Sequence, residues 1–254
     1  MRRELTYPNL SEGRVAAYSA GEQGPGGSVF RDQDGSNHGT LTNGPTWVND
    51  EGPALSFDGV DDVVTVPFDF LPPPLTLSVW AKHTIGETPD TYRGILCRGG
   101  VFDNDTNFAL GFRGSLNHIN CYWRNGASVY GSEGGSWVQN KWNHVVAIIF
   151  KNGDLSVYLA GNLIFTDTGN SLPTDGGQNL TIGSPNTVDG NDDPFTGQID
   201  DVNIYSRALA PQEIATLAKR RGIAYEMDRR IVGAQAVAAA GLLPITQAYM
   251  RTRC

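Results

Sequence analysis

Apolar and polar residues alternate with a period of two along much of residues 14–205, the pattern of strands with one face buried. Leu75, Leu77, Val79 and Ala81 share one face of a strand over 75–81, and Leu155, Val157 and Leu159 share one over 155–159. Shorter runs over 14–18, 93–98, 107–113, 118–123, 163–165, 179–183 and 197–205 predict further strands, separated by glycine-rich turns. Residues 142–150 are apolar on both faces beyond His144, which predicts a central strand. Lys151-Asn152-Gly153-Asp154 then predicts a tight hairpin. From Tyr18 to His38 the chain reads as a long Gly, Asp, Asn and Ser loop with little to bury. About a dozen short strands joined this way predict two packed sheets, because one open sheet that wide leaves a face wet.

Residues 55–66 carry the most information. An alternating strand stops at Asp58-Gly59 and resumes after Asp62, so Asp58, Asp61 and Asp62 crowd one short turn. A second acidic strand, over 197–205, contains Asp200 and Asp201. Side-by-side placement of these two stretches closes the sandwich. One helix in the body begins at Pro211, with Glu213 in its first turn and Ile214 and Leu217 on one face. After Tyr225 the pattern changes: Asp228 caps a predicted helix through Ala240, ended by Gly241 and Pro244.

Charge divides the chain in the same place. From Lys219 onward seven Lys/Arg stand against two Asp/Glu, whereas residues 1–218 hold 12 basic and 25 acidic residues. The domain reading is therefore a sandwich over 1–222 and a basic, Ala-rich helical tail over 223–254. Arg229, Arg230, Ile231, Val237, Leu242 and Leu243 are the expected docking residues of that tail, on a partner or on the body itself. The run from Ile231 to Met250 is long enough for a membrane span, but Gln235, Pro244, Thr246 and Gln247 interrupt it. The net charge of −8 argues against a general nucleic-acid binder. Three cysteines, Cys97, Cys121 and Cys254, read as free thiols in a core too large to need cross-links, although Cys97 and Cys121 lie on strands that could be neighbours. The first residues lack the apolar run of a secretion signal, so the expected location is intracellular or on a released particle such as a virion.

Five ordered motifs carry a family resemblance: Asn37-His38-Gly39-Thr40-Leu41, residues 54–62, residues 77–81, Lys141 to Val146, and residues 197–209. Together they resemble the concanavalin A-like, laminin-G-type jelly-roll domains of bacterial and phage proteins, over about residues 11–222. The resemblance implies an all-β, two-sheet antiparallel jelly-roll sandwich with a short closing helix, to which the chain adds its C-terminal helical tail. It also implies a calcium ion near a sheet edge and lectin-like binding of carbohydrate, while the acidic body with its basic, Ala-rich tail points to subunits of a larger assembly. One departure is Ala210, where such domains carry Ser as the helix N-cap; losing that acceptor weakens the helix start by roughly 1 kcal/mol.

The chemistry follows from residue types. Hydrolases of this fold place Glu-x-Asp-x-x-Glu on one strand, and here residues 198–203 read Gln-Ile-Asp-Asp-Val-Asn, with amides at both Glu positions. The four histidines, His38, His83, His118 and His144, form no Ser/His/Asp order. The expectation is a non-catalytic domain. Asp58, Asp200, Asp32 and Asn37 are the candidate calcium ligands, oxygen donors all. The structural alternative is that Asp58 makes turn hydrogen bonds and Asp200 pairs with an arginine. Asp103, Asp105 and Asn107 form a second acidic loop, and Trp123 with Tyr130 flanks a hairpin tip, so these five are the candidate sugar-binding residues. Trp80 and Trp142 are assigned to the core. The leading function is a lectin-like accessory component of a larger assembly, such as a virion decoration or fibre-associated protein. A soluble calcium-dependent lectin is the alternative.

Overall fold

The computed structural model describes residues 9–84, 92–99, 107–114, 116–184 and 193–230. The first half runs β1 (Arg14–Tyr18), α1 (Ala20–Gln23), β2 (Val29–Phe30), β3 (Gly39–Thr42), β4 (Thr46–Asn49), β5 (Pro53–Asp58), β6 (Val63–Val66), β7 (Leu75–His83) and β8 (Tyr92–Arg98). Next come β9 (Phe108–Arg113), β10 (His118–Asn125), β11 (Ser128–Gly134), β12 (Asn143–Ile149), β13 (Leu155–Leu159) and β14 (Asn162–Asp167). β15 (Leu180–Ile182), β16 (Asp193–Pro194), β17 (Thr196–Tyr205) and α2 (Pro211–Leu217) follow, then a helical segment over 223–230.

Among the described residues the strands form two sheets. Sheet A has the order β14-β13-β12-β7-β17-β5-β4, with β1 also on β17; sheet B has the order β11-β10-β9-β8-β15-β6-β3-β2, with β16 on β8. All pairings are antiparallel except the two-residue match of β16 with β8. Leu55↔Ile199 and Asp58↔Thr196 set the register of β5 on β17, so the two acidic stretches do lie side by side. Between β5 and β6 the chain passes from sheet A to sheet B, and the Asp58–Asp62 turn is that corner. Gly59 is required there: its φ is +80° and a Cβ would come 1.8 Å from Thr196 Oγ1.

The main core lies between the sheets and takes Leu77, Val79, Leu110, Phe112, Val145, Val157, Ile199 and Ile204 from alternating positions. It also takes Phe30, fully buried, from the stretch expected to have little to bury. Cys121 faces this core while Cys97 faces the outside of sheet B, with β9 between their strands; neither is in a disulfide.

A second apolar cluster covers the outside of sheet A. Ala17, Val146, Ile148 and Tyr205 from the sheet meet Ile214 and Leu217 of α2 and Ala224, Tyr225 and Met227 of the 223–230 segment. The start of the expected tail is thus folded onto the body, and the boundary at 222 separates nothing among the described residues. No helix among them is long and apolar enough to cross a membrane. At α2 the acceptor absent from Ala210 is not replaced, but the other half of a capping box is kept: the Ala210 N–H donates to Glu213 Oε2 at 2.7 Å, and Arg207 holds the same carboxylate at 2.7 and 2.8 Å.

Candidate functional site

The carboxylates of Asp58, Asp61 and Asp62 offer one oxygen each, all within 4.8 Å of one another. Two ligands of one calcium ion sit at most roughly 5 Å apart, so the spacing fits an oxygen-ligated ion. The turn uses some of the same oxygens: Asp62 Oδ2 accepts the Asp58 N–H at 2.8 Å and Asp58 Oδ1 accepts the Val60 N–H at 2.8 Å. Asp62 is buried, and burial, then the charges of Asp58 and Asp61, raises its pKa against the bond from the Asp58 N–H. A cation would relieve that crowding.

The other expected ligands do not join this group. Asp32 is an organiser of its own loop: Oδ1 accepts the N–H groups of Ala17 (3.0 Å) and Asp34 (3.1 Å), and Oδ2 accepts that of Asn37 (3.3 Å). The carbonyl of Asn37 accepts the Tyr18 hydroxyl at 2.6 Å.

Asp200 departs from the expectation for a physical reason. Strict alternation puts it on the face of Val202 and Ile204, but β17 bulges between Asp200 and Asn203, with Asp201 at φ +48°. The extra residue returns Val202 to the face of Ile199 and turns both aspartates outward. The bulge falls where β17 changes partner from β5 to β1. Asp200 Oδ1 accepts the Ala20 N–H at 2.8 Å, and Oδ2 meets Arg221 Nη1 at 3.3 Å. Asp201 accepts the Gly222 N–H and the Ser19 hydroxyl. Arg221 also donates to Pro53 O at 2.9 Å and lies over the Trp142 ring at 3.8 Å. Burial first, then their mutual repulsion, raises the pKa of Asp200; burial raises that of Asp201. The arginine pairing is therefore what the structure shows for Asp200.

The aromatic expectations are inverted. Trp123 is fully buried in the main core, donating to Ser171 O at 2.7 Å, and Tyr130 lies opposite it on β11, packed against that core. Because β10 has Ile119, Cys121 and Trp123 on its inner face, a sugar cannot reach the indole. Trp80 and Trp142 are instead partly exposed on the outside of sheet A. Asn107 is buried, with Nδ2 3.5 Å from Thr174 O; Asp103 and Asp105 lie outside the described residues. In the tail, Arg229 pairs with Glu22 and Arg230 with Glu226, so both serve contacts within the chain. Ile231, Val237, Leu242 and Leu243 lie outside the described residues.

A site not anticipated lies on the outside of sheet B. Register aligns Tyr92–Arg113–His118, then Gly94–Gly111–Asn120–Glu133, then Cys97–Ala109–Tyr122–Gly131 across β8 to β11. Gly94, Gly111, Cys97 and Ala109 form a floor of small residues that is buried, with Tyr122 packed against Cys97 and Ala109. Gly111 has no alternative, since a Cβ would come 2.5 Å from the Arg93 carbonyl oxygen. Around this floor Arg113 Nη1 donates to Glu133 Oε1 at 2.6 Å and the Tyr122 hydroxyl to Glu133 Oε2 at 3.2 Å. His118 Nδ1 lies 3.7 Å from the same carboxylate. Tyr92 and Tyr122 meet edge to face at 5.9 Å, and the Arg113 guanidinium lies 5.2 Å over the Tyr92 ring. Burial, then the Glu133 charge, holds the Tyr122 hydroxyl protonated, far above its ordinary pKa. Asn120 lies over Gly111 with Nδ2 buried and unbonded. Single strands hid this cluster, because its members come from four strands and meet only through the register. Outward polar positions on 107–113 and 118–123 were its one signal.

A Ser–His contact also exists, with Ser78 Oγ 3.0 Å from His144 Nε2. Both residues are buried, His144 Nδ1 has no partner, and burial lowers the imidazole pKa to about 3. Such a pair is a neutral hydrogen bond inside the fold.

The laminin-G-type family model described as the concanavalin A-like lectin/glucanases superfamily matches residues 57–215. Among solved structures, domain 4 of AbnA, an extracellular arabinanase of family GH43 from Geobacillus stearothermophilus in complex with arabinotriose, is 20% identical with a TM-score of 0.63, covering 81% of this chain and 98% of that one. A sialidase from Trypanosoma rangeli in complex with the inhibitor DANA is 22% identical with a TM-score of 0.59, covering 83% of this chain and 33% of that one. The HCR/D W1238A mutant is 14% identical with a TM-score of 0.63, covering 84% and 53%. This chain therefore spans about a third of the sialidase and about half of HCR/D. No curated protein sequence matches the chain.

Proposed function

The chain belongs to the concanavalin A-like lectin/glucanase superfamily, and from that premise we propose that it is a non-catalytic glycan-binding domain that reads its ligand on the outside of sheet B. The observation that carries this reading is the array of partly exposed tyrosines, an arginine–glutamate pair and a histidine on that face. Aromatic faces take the C–H side of a sugar ring, and paired charged groups bond its hydroxyls. Hydrolysis by the two-carboxylate route needs a second acid about 5–9 Å away, and Glu133 is the one carboxylate in the aligned rows. A domain of this fold forms a third of one similar chain and half of another, which supports an accessory role beside other domains or subunits.

Calcium, which the family resemblance implies, fits the donor chemistry and spacing of Asp58, Asp61 and Asp62. Bound there, it would clamp the corner between the sheets. A glycan array probed with the full chain, beside Tyr122→Ala, tests the function. Binding lost in the variant supports it, and an array without any signal overturns it.

A further inference from the structure

Where β12 turns into β13, the outside of sheet A is open. A cavity of about 280 Å³ lies there, lined by Phe150, Asn152, Asp154, Ser156, Thr166 and Thr168. Leu155 and Val157 point into the main core, so Ser156 points out, and register places Thr166 beside it on β14. The roof does not reach this end. α2 meets β13 and β14 at their other end, where a Cβ on Gly161 would come 3.3 Å from Ala215 Cα.

The walls are tied together by backbone. The Phe150 N–H donates to Asp154 O at 2.9 Å, and Gly153, at φ +85°, lies so close to Asn170 that a Cβ would come 1.9 Å from its carbonyl oxygen. Two bonds aim the Asp154 carboxylate: Oδ2 accepts from Asn152 Nδ2 at 2.7 Å, and Oδ1 accepts the Gly169 N–H at 3.2 Å. Each oxygen keeps a lone pair for a ligand. The hydroxyls of Ser156, Thr166 and Thr168 make no hydrogen bond among the described residues. Asn152, Thr166 and Thr168 are exposed, and Phe150, Asp154 and Ser156 are half-buried, so the lining is accessible.

We propose that this cavity is a second saccharide site, separate from the array on sheet B, that takes a single neutral sugar ring. Pockets for drug-sized ligands begin at roughly 300 Å³, so the space suits one ring and not a longer chain. Side-chain hydroxyls both donate and accept, which matches a ligand made of hydroxyls, and the fixed carboxylate accepts charge-assisted bonds from two more. Phe150 supplies an apolar wall for the C–H side of the ring. Asp154 is the one charged residue of the lining, so an acidic sugar meets repulsion and no cation. An ammonium or guanidinium group would satisfy Asp154 and leave the three hydroxyls idle. The two sites share no residue, so each can fail alone.

The test is titration of the isotope-labelled full chain, followed through its backbone amide signals, with the methyl glycosides of arabinose, xylose, glucose and galactose as neutral probes. Methyl glucuronoside serves as the acidic probe and lysine methyl ester as the cationic one. A neutral probe is expected to shift the amides of Gly153, Asp154, Ser156 and Gly169 in a saturable way. Asp154→Asn is expected to weaken that binding roughly tenfold, the loss of a charge-assisted bond. Thr166→Tyr, which fills the cavity from an exposed edge position, is expected to abolish it with an unchanged circular dichroism spectrum, and Tyr122→Ala to leave it intact. Shifts produced by the acidic probe or by lysine methyl ester, and by no neutral glycoside, overturn the neutral-sugar assignment. Neutral binding undiminished in Thr166→Tyr removes the ligand from this cavity. Shifts confined to the strands around Tyr122 and Glu133, and lost in Tyr122→Ala, overturn this site and leave the sheet B reading standing.

Discussion

The two outer faces of the sandwich are built from the same alternation and end in opposite conditions. The outside of sheet A carries Val146, Ile148 and Tyr205 and is roofed by α2 and the 223–230 segment. The outside of sheet B carries Gly111, Asn120, Tyr122 and Glu133 and keeps a partly exposed polar array. A sheet face that is apolar must be covered, and the chain supplies its own cover; a face that carries polar residues can stay stable against water. Stability should therefore be concentrated beneath that cover and recognition away from it.

The comparison is broken most strongly at Arg221. It bonds Asp200 and lies over Trp142, so Arg221→Ala strands two buried carboxylates. The expected loss is roughly 3–5 kcal/mol in urea unfolding, partly recovered by adding Asp201→Asn. A loss below about 1 kcal/mol, typical of an exposed ion pair, would sink the picture of a tightly held A face. Tyr225→Ala comes next, with roughly 3 kcal/mol lost from the roof. A chain ending at residue 222 should melt lower still, and an unchanged melting temperature contradicts the roof's role.

Acidity sharpens the contrast. Asp200 is raised to about 7 and Asp201 in the same direction, so the folded state binds protons more readily than the unfolded one. Their protonation stabilises the fold fully below about pH 4, and for Asp200 that contribution is lost as pH rises through about 7, by at most roughly 1.4 kcal/mol per pH unit. Asp200→Asn should flatten this slope in melts across that range; a slope of opposite sign in the parent protein that is unaffected by the substitution would refute the assignment. Calcium bound at the Asp58–Asp62 corner should stabilise the fold by up to about 2.7 kcal/mol at a hundredfold excess over Kd, read as a raised melting temperature. Asp61→Asn should remove that response. The smallest expected change is on the B face, where Glu133→Gln should alter stability by less than about 1 kcal/mol.

Legibility followed the range of the interaction. The strands over 75–81 and 155–159 were readable because period-two alternation is local, and α2 because Pro211 and Glu213 mark its first turn. The two-residue strands β2 and β16 escaped, since so short a pairing leaves no periodic trace. Asp58 was legible as part of an acidic turn, whereas its partners are Asp61 and Asp62 and not the distant Asp32, Asn37 and Asp200. Trp123 was misread because a hairpin tip looks exposed from its neighbours, while its strand parity points inward.

Sequence alone determined the sandwich, its acidic corner and its closing helix, because alternation, turn residues and a helix start are carried by adjacent positions. Only the tertiary structure decided that a bulge turns Asp200 and Asp201 outward beneath Arg221, and that Tyr92, Arg113, Tyr122 and Glu133 share one face. Both outcomes depend on register between strands far apart in the chain. A one-residue shift moves every side chain to the other face, and no single strand encodes it.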